Sequence, residues 1–475
     1  MDWGQAYAYH AGMNSNRSAT LPEPASEAFA SSFVFPDHEA LRSLREQSFA
    51  QTMDRVFERH PFYRGRLAEL GLDRARFASL DDLARLPITT KADYMAAPER
   101  FVLDTTGLPL EMRTVWDTMY TTGSTSGRPT PFVSTSYDFY NILALQRNML
   151  LLRGVRSDDL IANLFPLTQA PHGAWTRVLH ASASLGVPVV SLLPGNPSPF
   201  FQLGRALDQV VEALVSQQPT ILWGVPSYVW RVLGRVAERG LRLERVRWVF
   251  VTGEALAETG RAQIMDLLRS VGAESAAISI SYGSTEMQGG MVECQPGSGL
   301  HNPLPAKILI EVVDPITHQP VPDGKEGLVT MTHLDRFGTL LLRYSLGDRS
   351  VRTRLRCPHC GALTDRLTLT PQRVDELVKV KGMLINPVAL VTALDECLGT
   401  APYQLRVVAA DPERPLAGDR LELRWVGSGD SVRETSLREL IKQACGVTAE
   451  MVAVSAEELA AEQSSWKAKK FVDQR

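Results

Sequence analysis

From about residue 115 to 350, short β-type runs alternate with stretches of helical periodicity, and this rhythm restricts the fold more than anything else in the chain. LIANLFPL, VPVVSLLP, ILWGVP, VRWVFVTG and AISISYG are apolar and β-branched, and several end in Gly or Pro. Between them AWTRVLHASASLG, PSYVWRVLGRVAERG and ALAETGRAQIMDLLRSVG place apolar residues at helical spacing. Such alternation predicts parallel α/β layers, whose functional loops follow the carboxyl ends of the strands. Residues 305–355 change texture. AKILIEVVD, EGLVTMTHL and GTLLLRYSLGD are short strands split by turn signals such as PDG, which predicts an antiparallel or barrel-like subdomain.

Upstream, the stretch from Asp37 to Leu70 predicts one or two surface helices with a break at Pro61. The first 30 residues, rich in Ala, Ser, Pro and Gly, predict a loose wrapping segment. Past about residue 375 the pattern restarts: VDELVKVKGMLINPVALVTAL predicts strand, turn and helix, YQLRVVAAD and RLELRWVG alternating strands, and SLRELIKQACG a helix. The expectation is an α/β chain of two parts. Residues 1–374 form a large domain of layered α/β subdomains with a β-rich subdomain, and residues 375–475 a small, mobile α+β domain.

With 44% hydrophobic and 22% charged residues in 475, the chain is globular rather than disordered or collagen-like. A net charge of −3 leaves no footprint for nucleic acid. No apolar run approaches the roughly 18–20 residues of a membrane span, and the N-terminus lacks the basic start and apolar core of a secretory signal. The expectation is a cytoplasmic protein without nucleic-acid or membrane partners, and its oligomeric state, a homodimer included, is left open.

The segment Tyr120-Thr-Thr-Gly-Ser-Thr-Ser-Gly-Arg-Pro-Thr130 concentrates hydroxyls and glycines. Glycine permits close approach and unusual φ values, so such a loop can turn its N–H groups toward a polyphosphate. It is not a Walker-type P-loop, because no Lys-Ser/Thr follows. A solvated turn is the plain alternative.

In order along the chain stand Ser281-Tyr-Gly-Ser-Thr-Glu286, Arg343-Tyr-Ser-Leu-Gly-Asp348, Arg373-Val-Asp375 and Lys467-Ala-Lys-Lys-Phe-Val-Asp473. LPITTKADY, PTILWGVPSY, VTGEAL and KVKGMLINP accompany them. With the glycine-rich segment, this set resembles the adenylate-forming enzyme superfamily, and within it the phenylacetate–CoA ligase-like family, from about residue 40 to the end.

The resemblance implies an enzyme that joins a carboxylate to the α-phosphate of ATP, expels pyrophosphate and transfers the acyl group to coenzyme A. Thr121, Thr122, Gly123, Ser124, Thr125, Ser126 and Gly127 would hold the β- and γ-phosphates. Thr285 would touch the α-phosphate and Glu286 would offer a hard oxygen ligand to Mg²⁺. Tyr282 would stack on adenine beside Gly283 and Ser284, with Gly253 and Glu254 lining the same pocket. Asp348 would accept from the ribose hydroxyls, and Arg373 would reach ribose or phosphate. Lys467 would steady the developing charge on the α-phosphate. Asp375 would be the hinge about which the small domain rotates between the two half-reactions. Three departures stand out: one extra residue between Gly123 and Gly127, Arg128 for the usual Lys, and Trp466 where a Gly usually precedes the lysine.

Cys357-Pro-His-Cys360-Gly has the C-x₂-C form of a zinc knuckle, and Cys294 and His301 add two ligands upstream. A Cys₃His set suits a closed structural zinc site, with His359 as the substitute imidazole and a redox pair as the alternative. Some members of the resembled family carry zinc at matching positions. Cys397 and Cys445, on helical patterns, are expected as buried small apolar residues.

Phe165-Pro-Leu-Thr-Gln-Ala-Pro-His-Gly-Ala-Trp175 lies where the family builds its aryl-acid pocket. Phe165, His172, Gly173 and Trp175 would form a flat apolar slot for a small aromatic acid, although His172 and Trp175 also read as core residues of a helix start. The expected cofactors are therefore ATP, Mg²⁺ and structural Zn²⁺, with coenzyme A as co-substrate in secondary metabolism. Two other functions remain open. One passes the adenylate to a carrier-protein thiol or an amine, or activates nitrite for aryl-amine diazotisation. The other is a nucleotide-binding protein without turnover.

Overall fold

The computed structural model describes residues 35–120, 130–167, 173–195, 202–254, 256, 258–368, 371–373, 378–380, 383–399, 401–409, 419–427, 431–462 and 470–474. The chain enters through α1 (His38–Arg59), capped where the Asp37 carboxylate accepts from Ala40 N at 2.8 Å. The break expected at Pro61 falls between α1 and α2 (Pro61–Glu69), with His60 accepting from the first amides of α2 and Pro61 at its first turn. A hairpin of β1 (Val115–Tyr120) and β2 (Pro131–Thr135) then runs into α3 (Ser136–Leu152), whose Thr135 and Asp138 form a capping box.

The central alternation takes the predicted form. In chain order come β3 (Ile161–Asn163), α4 (Gly173–Leu185), β4 (Val189–Ser191), α5 (Leu207–Gln217), β5 (Ile221–Gly224), α6 (Pro226–Glu238), β6 (Trp248–Val251), α7 (Glu258–Ser270) and β7 (Ala277–Ser284). These strands pair in parallel in the order β4-β3-β5-β6-β7. β3 and β5 are buried along their whole length, which is why they read as unbroken apolar runs rather than alternating ones.

Beyond β7 the pairing turns antiparallel through β8 (Gly289–Glu293), β9 (Leu300–His301), β10 (Ile308–Val313), β11 (Glu326–His333), β12 (Tyr344–Thr353), β13 (Arg366–Leu367) and β14 (Gln372–Arg373). The β-rich, antiparallel region is thus present within the large domain as expected, and it continues the parallel strands in one 12-stranded sheet, β10-β11-β12-β13-β9-β8-β7-β6-β5-β3-β4, with β14 on β12. The physical reason is the core: Val329, Met331 and Leu346 belong to the same apolar cluster as Ile221, Val249 and Ile278. GTLLLRYSLGD is strand only from Tyr344 onward, because Leu340 N and Thr339 N are bound by Phe101 and Val133 rather than by a strand ladder.

The smaller C-terminal α+β domain has a separate core built on Leu405, Leu423, Trp425, Leu437 and Ile441. It opens with a hairpin, β15 (Val378–Val380) and β16 (Met383–Ile385), where strand and turn alone were expected, followed by α8 (Pro387–Leu398). β17 (Tyr403–Ala409), β18 (Asp419–Trp425), α9 (Ser431–Cys445), β19 (Glu450–Ala453) and β20 (Phe471–Asp473) complete it, in the sheet order β19-β18-β17-β20. The expected boundary at residues 374 and 375 lies outside the described residues.

Cys397 and Cys445 depart from expectation. Cys397 is exposed and Cys445 half-buried. The buried stripe of α8 runs through Leu390, Leu394 and Leu398 and leaves Cys397 on the outer side. Cys445 closes the last turn of α9, its thiol donating to Ile441 O at 3.1 Å.

Candidate active site and metal centre

The carboxyl end of β7 is where the sheet changes from parallel to antiparallel pairing, and the Ser281–Glu286 motif sits there. Glycine is required for this approach. A Cβ on Gly283 would lie 2.6 Å from Gly289 O, and one on Gly289 would lie 2.1 Å from the Leu145 side chain on α3. The turn after β7 is closed by Gln288 in the left-handed region at φ 56, its N–H donating to Thr285 O at 3.1 Å.

Two tyrosines join this turn to β12 in reciprocal fashion. Tyr344, at the start of β12, donates its hydroxyl to Glu286 Oε1 at 2.9 Å. Tyr282, near the end of β7, donates to Asp348 Oδ2 at 2.5 Å. The carboxylates expected to face Mg²⁺ and ribose are thus each oriented by the segment carrying the other. Both are nearly buried, Glu286 at 8% and Asp348 at 5% exposure. The Glu286 carbonyl also receives His333 Nε2–H at 3.1 Å, and His333 Nδ1 accepts from Leu341 N at 3.1 Å. Complete burial holds His333 well below its ordinary pKa, so the ring is neutral and its tautomer is fixed by these partners.

The remaining expected nucleotide residues distribute as follows. Thr285, Gly283 and Ser284 share the turn, and Ser284 Oγ accepts from Met287 N at 3.2 Å. Gly253 needs its φ of +84 to leave β6. The Glu254 carboxylate accepts from Ser227 N at 3.1 Å and Ser227 Oγ at 2.9 Å, which places it at the N-terminus of α6, a helix-capping position that the sequence reading missed. Arg373 lies opposite Asp348 in the backbone register of β14 on β12. Residues 121–127, Arg128, Asp375, Trp466 and Lys467 lie outside the described residues; the strands flanking the glycine-rich segment pair at Tyr120 and Pro131.

Of the expected acid-pocket residues, His172 lies outside the described residues, and Gly173 is the first residue of α4. Phe165 is 1% exposed and belongs to the core. Trp175 packs against that core, and its carbonyl accepts from Asn163 Nδ2 at 3.1 Å. Its inaccessible indole Nε1 has no hydrogen-bond partner among the described residues.

Away from this site, Cys294, His301, Cys357 and Cys360 bring their ligand atoms within 4.8 Å of one another. Cys294 and Cys357 Sγ are 3.9 Å apart, and Cys360 Sγ lies 3.4 Å from His301 Nε2. Tetrahedral zinc with Zn–S of about 2.3 Å needs thiolates roughly 3.8 Å apart, so the donor set fits that ion. His301 Nδ1 faces the Val292 and Gly299 carbonyls at 3.2 Å each, leaving Nε2 turned toward the thiols. Hydrogen bonds from Cys360 and His301 pull the Cys294 thiol well below its ordinary range, against its burial. His359 pairs with Gln295 at 2.7 Å instead.

Tyr344, His333, Arg177 and Gln288 were not picked out from sequence. Tyr344 stood inside the RYSLGD motif already quoted and only its direction was hidden. The others carry no local signal, since the contacts that matter, His333 to Glu286 and Arg177 to Gln288, join residues far apart along the chain.

Comparison with known proteins gives a consistent set of relatives. The AMP-binding enzyme family profile matches residues 84–333, more than half of the chain. A phenylacetate-coenzyme A ligase of Thermus thermophilus is 27% identical over 380 residues, covering 78% of each chain. That of Aromatoleum evansii is 24% identical over 447 residues, covering 92% of this chain and 94% of its own. Among solved structures, 2-hydroxyisobutyryl-CoA ligase in the postadenylation state with 2-HIB-AMP superposes with a TM-score of 0.73 at 22% identity, over 96% of this chain and 94% of that one. At that identity the likeness speaks for the fold alone.

Proposed function

Because this chain belongs to the AMP-binding enzyme family and is an ATP-dependent adenylate-forming enzyme related to acyl- and aryl-CoA ligases, we propose that it activates an aromatic carboxylic acid and passes the acyl group to coenzyme A. The observation that carries the site assignment is the pair of tyrosine hydrogen bonds holding Glu286 and Asp348 at the junction of β7 and β12. Relatives named as phenylacetate-coenzyme A ligases support the aromatic acid and the thioester.

In the reaction an acid oxygen bonds to the α-phosphorus of ATP while the bond to pyrophosphate breaks. Asp348 accepts from the ribose hydroxyls, Thr285 donates to an α-phosphate oxygen, and Tyr282 covers the adenine ring. Glu286 is the carboxylate that would hold Mg²⁺, which neutralises phosphate charge when bound. Lys467 would steady the charge on the α-phosphate, and the residue 121–127 segment would hold the outer phosphates. Cys294, His301, Cys357 and Cys360 would hold a structural zinc, which would pin β9 to the chain between β12 and β13.

The test is pyrophosphate release across a panel of aryl acids, with and without coenzyme A and nitrite. A coenzyme-A-dependent thioester supports the proposal. Pyrophosphate release with no thioester moves the activated group to another acceptor, and release that requires nitrite points to diazotisation.

A further inference from the structure

Arg177 lies near the start of α4, 7% exposed, and reaches from its own helix to two other elements. It donates to Gln288 Oε1 in the turn after β7. Its other arm meets His180 Nδ1 at 2.8 Å, and Asp117 Oδ2 on β1 is 3.7 Å away. Gln288 in turn donates its side-chain N–H to the Thr285 carbonyl, while its own carbonyl receives Gln146 Nε2 of α3 at 3.0 Å. A buried guanidinium is expensive to desolvate, and a Met would fill a similar volume without that penalty. What Met lacks is the planar fork that satisfies several acceptors in fixed directions.

We propose that Arg177 is a positioning residue for the nucleotide site, fixing the residue 285–288 turn through Gln288 and tying it to β1, the strand that leads into the glycine-rich segment. The proposal rests on the reading of Thr285 and Glu286 as nucleotide-facing. Asp117 supports it. Among the described residues its buried Oδ1 has no hydrogen-bond partner, and the charges of Arg177 and then Arg336 oppose its desolvation. The run Asp117–Arg177–Gln288–Thr285 therefore connects β1 to the turn after β7 through α4.

The experiment compares full-length Arg177→Met, Arg177→Lys, Gln288→Leu and the Arg177→Met/Gln288→Leu double variant. Amide hydrogen exchange is followed in the free protein, and ATP–pyrophosphate exchange is measured in parallel. Each single change should speed exchange of the residue 285–289 amides about tenfold or more, with β5 and β6 still protected. Turnover should fall roughly ten- to a hundredfold, the range for losing one charge-assisted hydrogen bond at such a site. The double variant should be no worse than the worse single one, because both cut one connection. Arg177→Lys keeps the charge without the fork and should resemble Gln288→Leu. Unchanged exchange at 285–289, multiplied losses in the double variant, or full rescue by Lys would each overturn the proposal. Gln288→Leu leaves the Arg177–Asp117 pair in place and serves where Arg177→Met fails to fold. A wild-type chain with no pyrophosphate exchange on any acid would count against the activity alone, and hydrogen exchange would still judge the connection.

Discussion

Tyr344→Phe removes one oxygen and tests how the site holds its metal-facing carboxylate. The ring is 2% exposed and packs near Tyr94, with ring centroids 6.2 Å apart, so Phe keeps its shape and apolar contacts. What is lost is the 2.9 Å hydrogen bond to Glu286 Oε1. A hydrogen bond to a charged acceptor contributes about 1.5–3 kcal/mol, and leaving a nearly buried carboxylate oxygen short of a donor puts the loss toward the upper end. If that orientation matters mainly in the transition state, adenylation slows by roughly ten- to 150-fold. The assay is ATP–pyrophosphate exchange at varied Mg²⁺, with thermal melting as a fold control. The loss should appear in kcat and in the Mg²⁺ needed for half-maximal rate. Tyr282→Phe is the matched control: it touches Asp348 rather than Glu286 and should weaken ATP binding without changing the Mg²⁺ dependence. Tyr344→Phe within twofold of wild type, alongside an inactive Glu286→Gln, would show that the tyrosine does not orient the carboxylate.

Lys467→Ala should cut adenylate formation by orders of magnitude yet leave transfer from supplied adenylate largely intact; equal loss in both half-reactions would refute a lysine that serves only the first. Purified protein should carry about one zinc per chain by metal analysis, and chelation or Cys360→Ser should lower the melting temperature, whereas a metal-free chain of undiminished stability would remove the zinc assignment. His60 predicts acid sensitivity. Buried at the start of α2, with Nδ1 accepting from Phe62 N and Tyr63 N and Nε2 facing Leu340 O, it is pulled down to about 4 by desolvation. The unfolded chain, with a histidine near 6.5, binds the proton first, so stability is full above about pH 6.5 and declines toward pH 4, by roughly 3 kcal/mol for this residue. Urea midpoints at pH 7.5 and 5 should differ less in His60→Asn, and an unchanged difference would exclude His60 as the cause.

The parallel half of the fold was legible because β3, β5 and β6 are buried strands bounded by Gly and Pro, and α4, α6 and α7 keep an apolar stripe. Local chemistry wrote both signals. The joining of the antiparallel region to them was not, since it depends on which strand β9 and β13 select, a pairing between Leu300 and Leu367 that no local pattern encodes. The same division runs through the site. Motif residues Tyr282, Glu286 and Asp348 could be named from sequence, but not that Tyr282 reaches across to Asp348 and Tyr344 back to Glu286, contacts that span 66 and 58 residues. The Cys₃His cluster was readable because Cys-x₂-Cys fixes half of it locally, and its two distant members had few competitors among five cysteines and nine histidines.

The change of pairing at β7 explains why the proposed nucleotide site belongs where it is. Parallel strands put their carboxyl ends on one edge, and the helices that follow leave a crevice there. At β7 no helix follows: the chain turns straight back into β8, and its turn stays at the rim, close to the start of β12. A turn so placed has few backbone partners of its own, so its conformation must be imposed from outside. His333 holds it from β11, Tyr344 from β12, Gln146 from α3 and Arg177 from α4. Four anchors on four elements make the position of Glu286 a property of the whole large domain. Loosening any one anchor should therefore lower the rate of adenylation before it lowers the stability of the fold, the reverse of what a core substitution such as Val249→Ala would do.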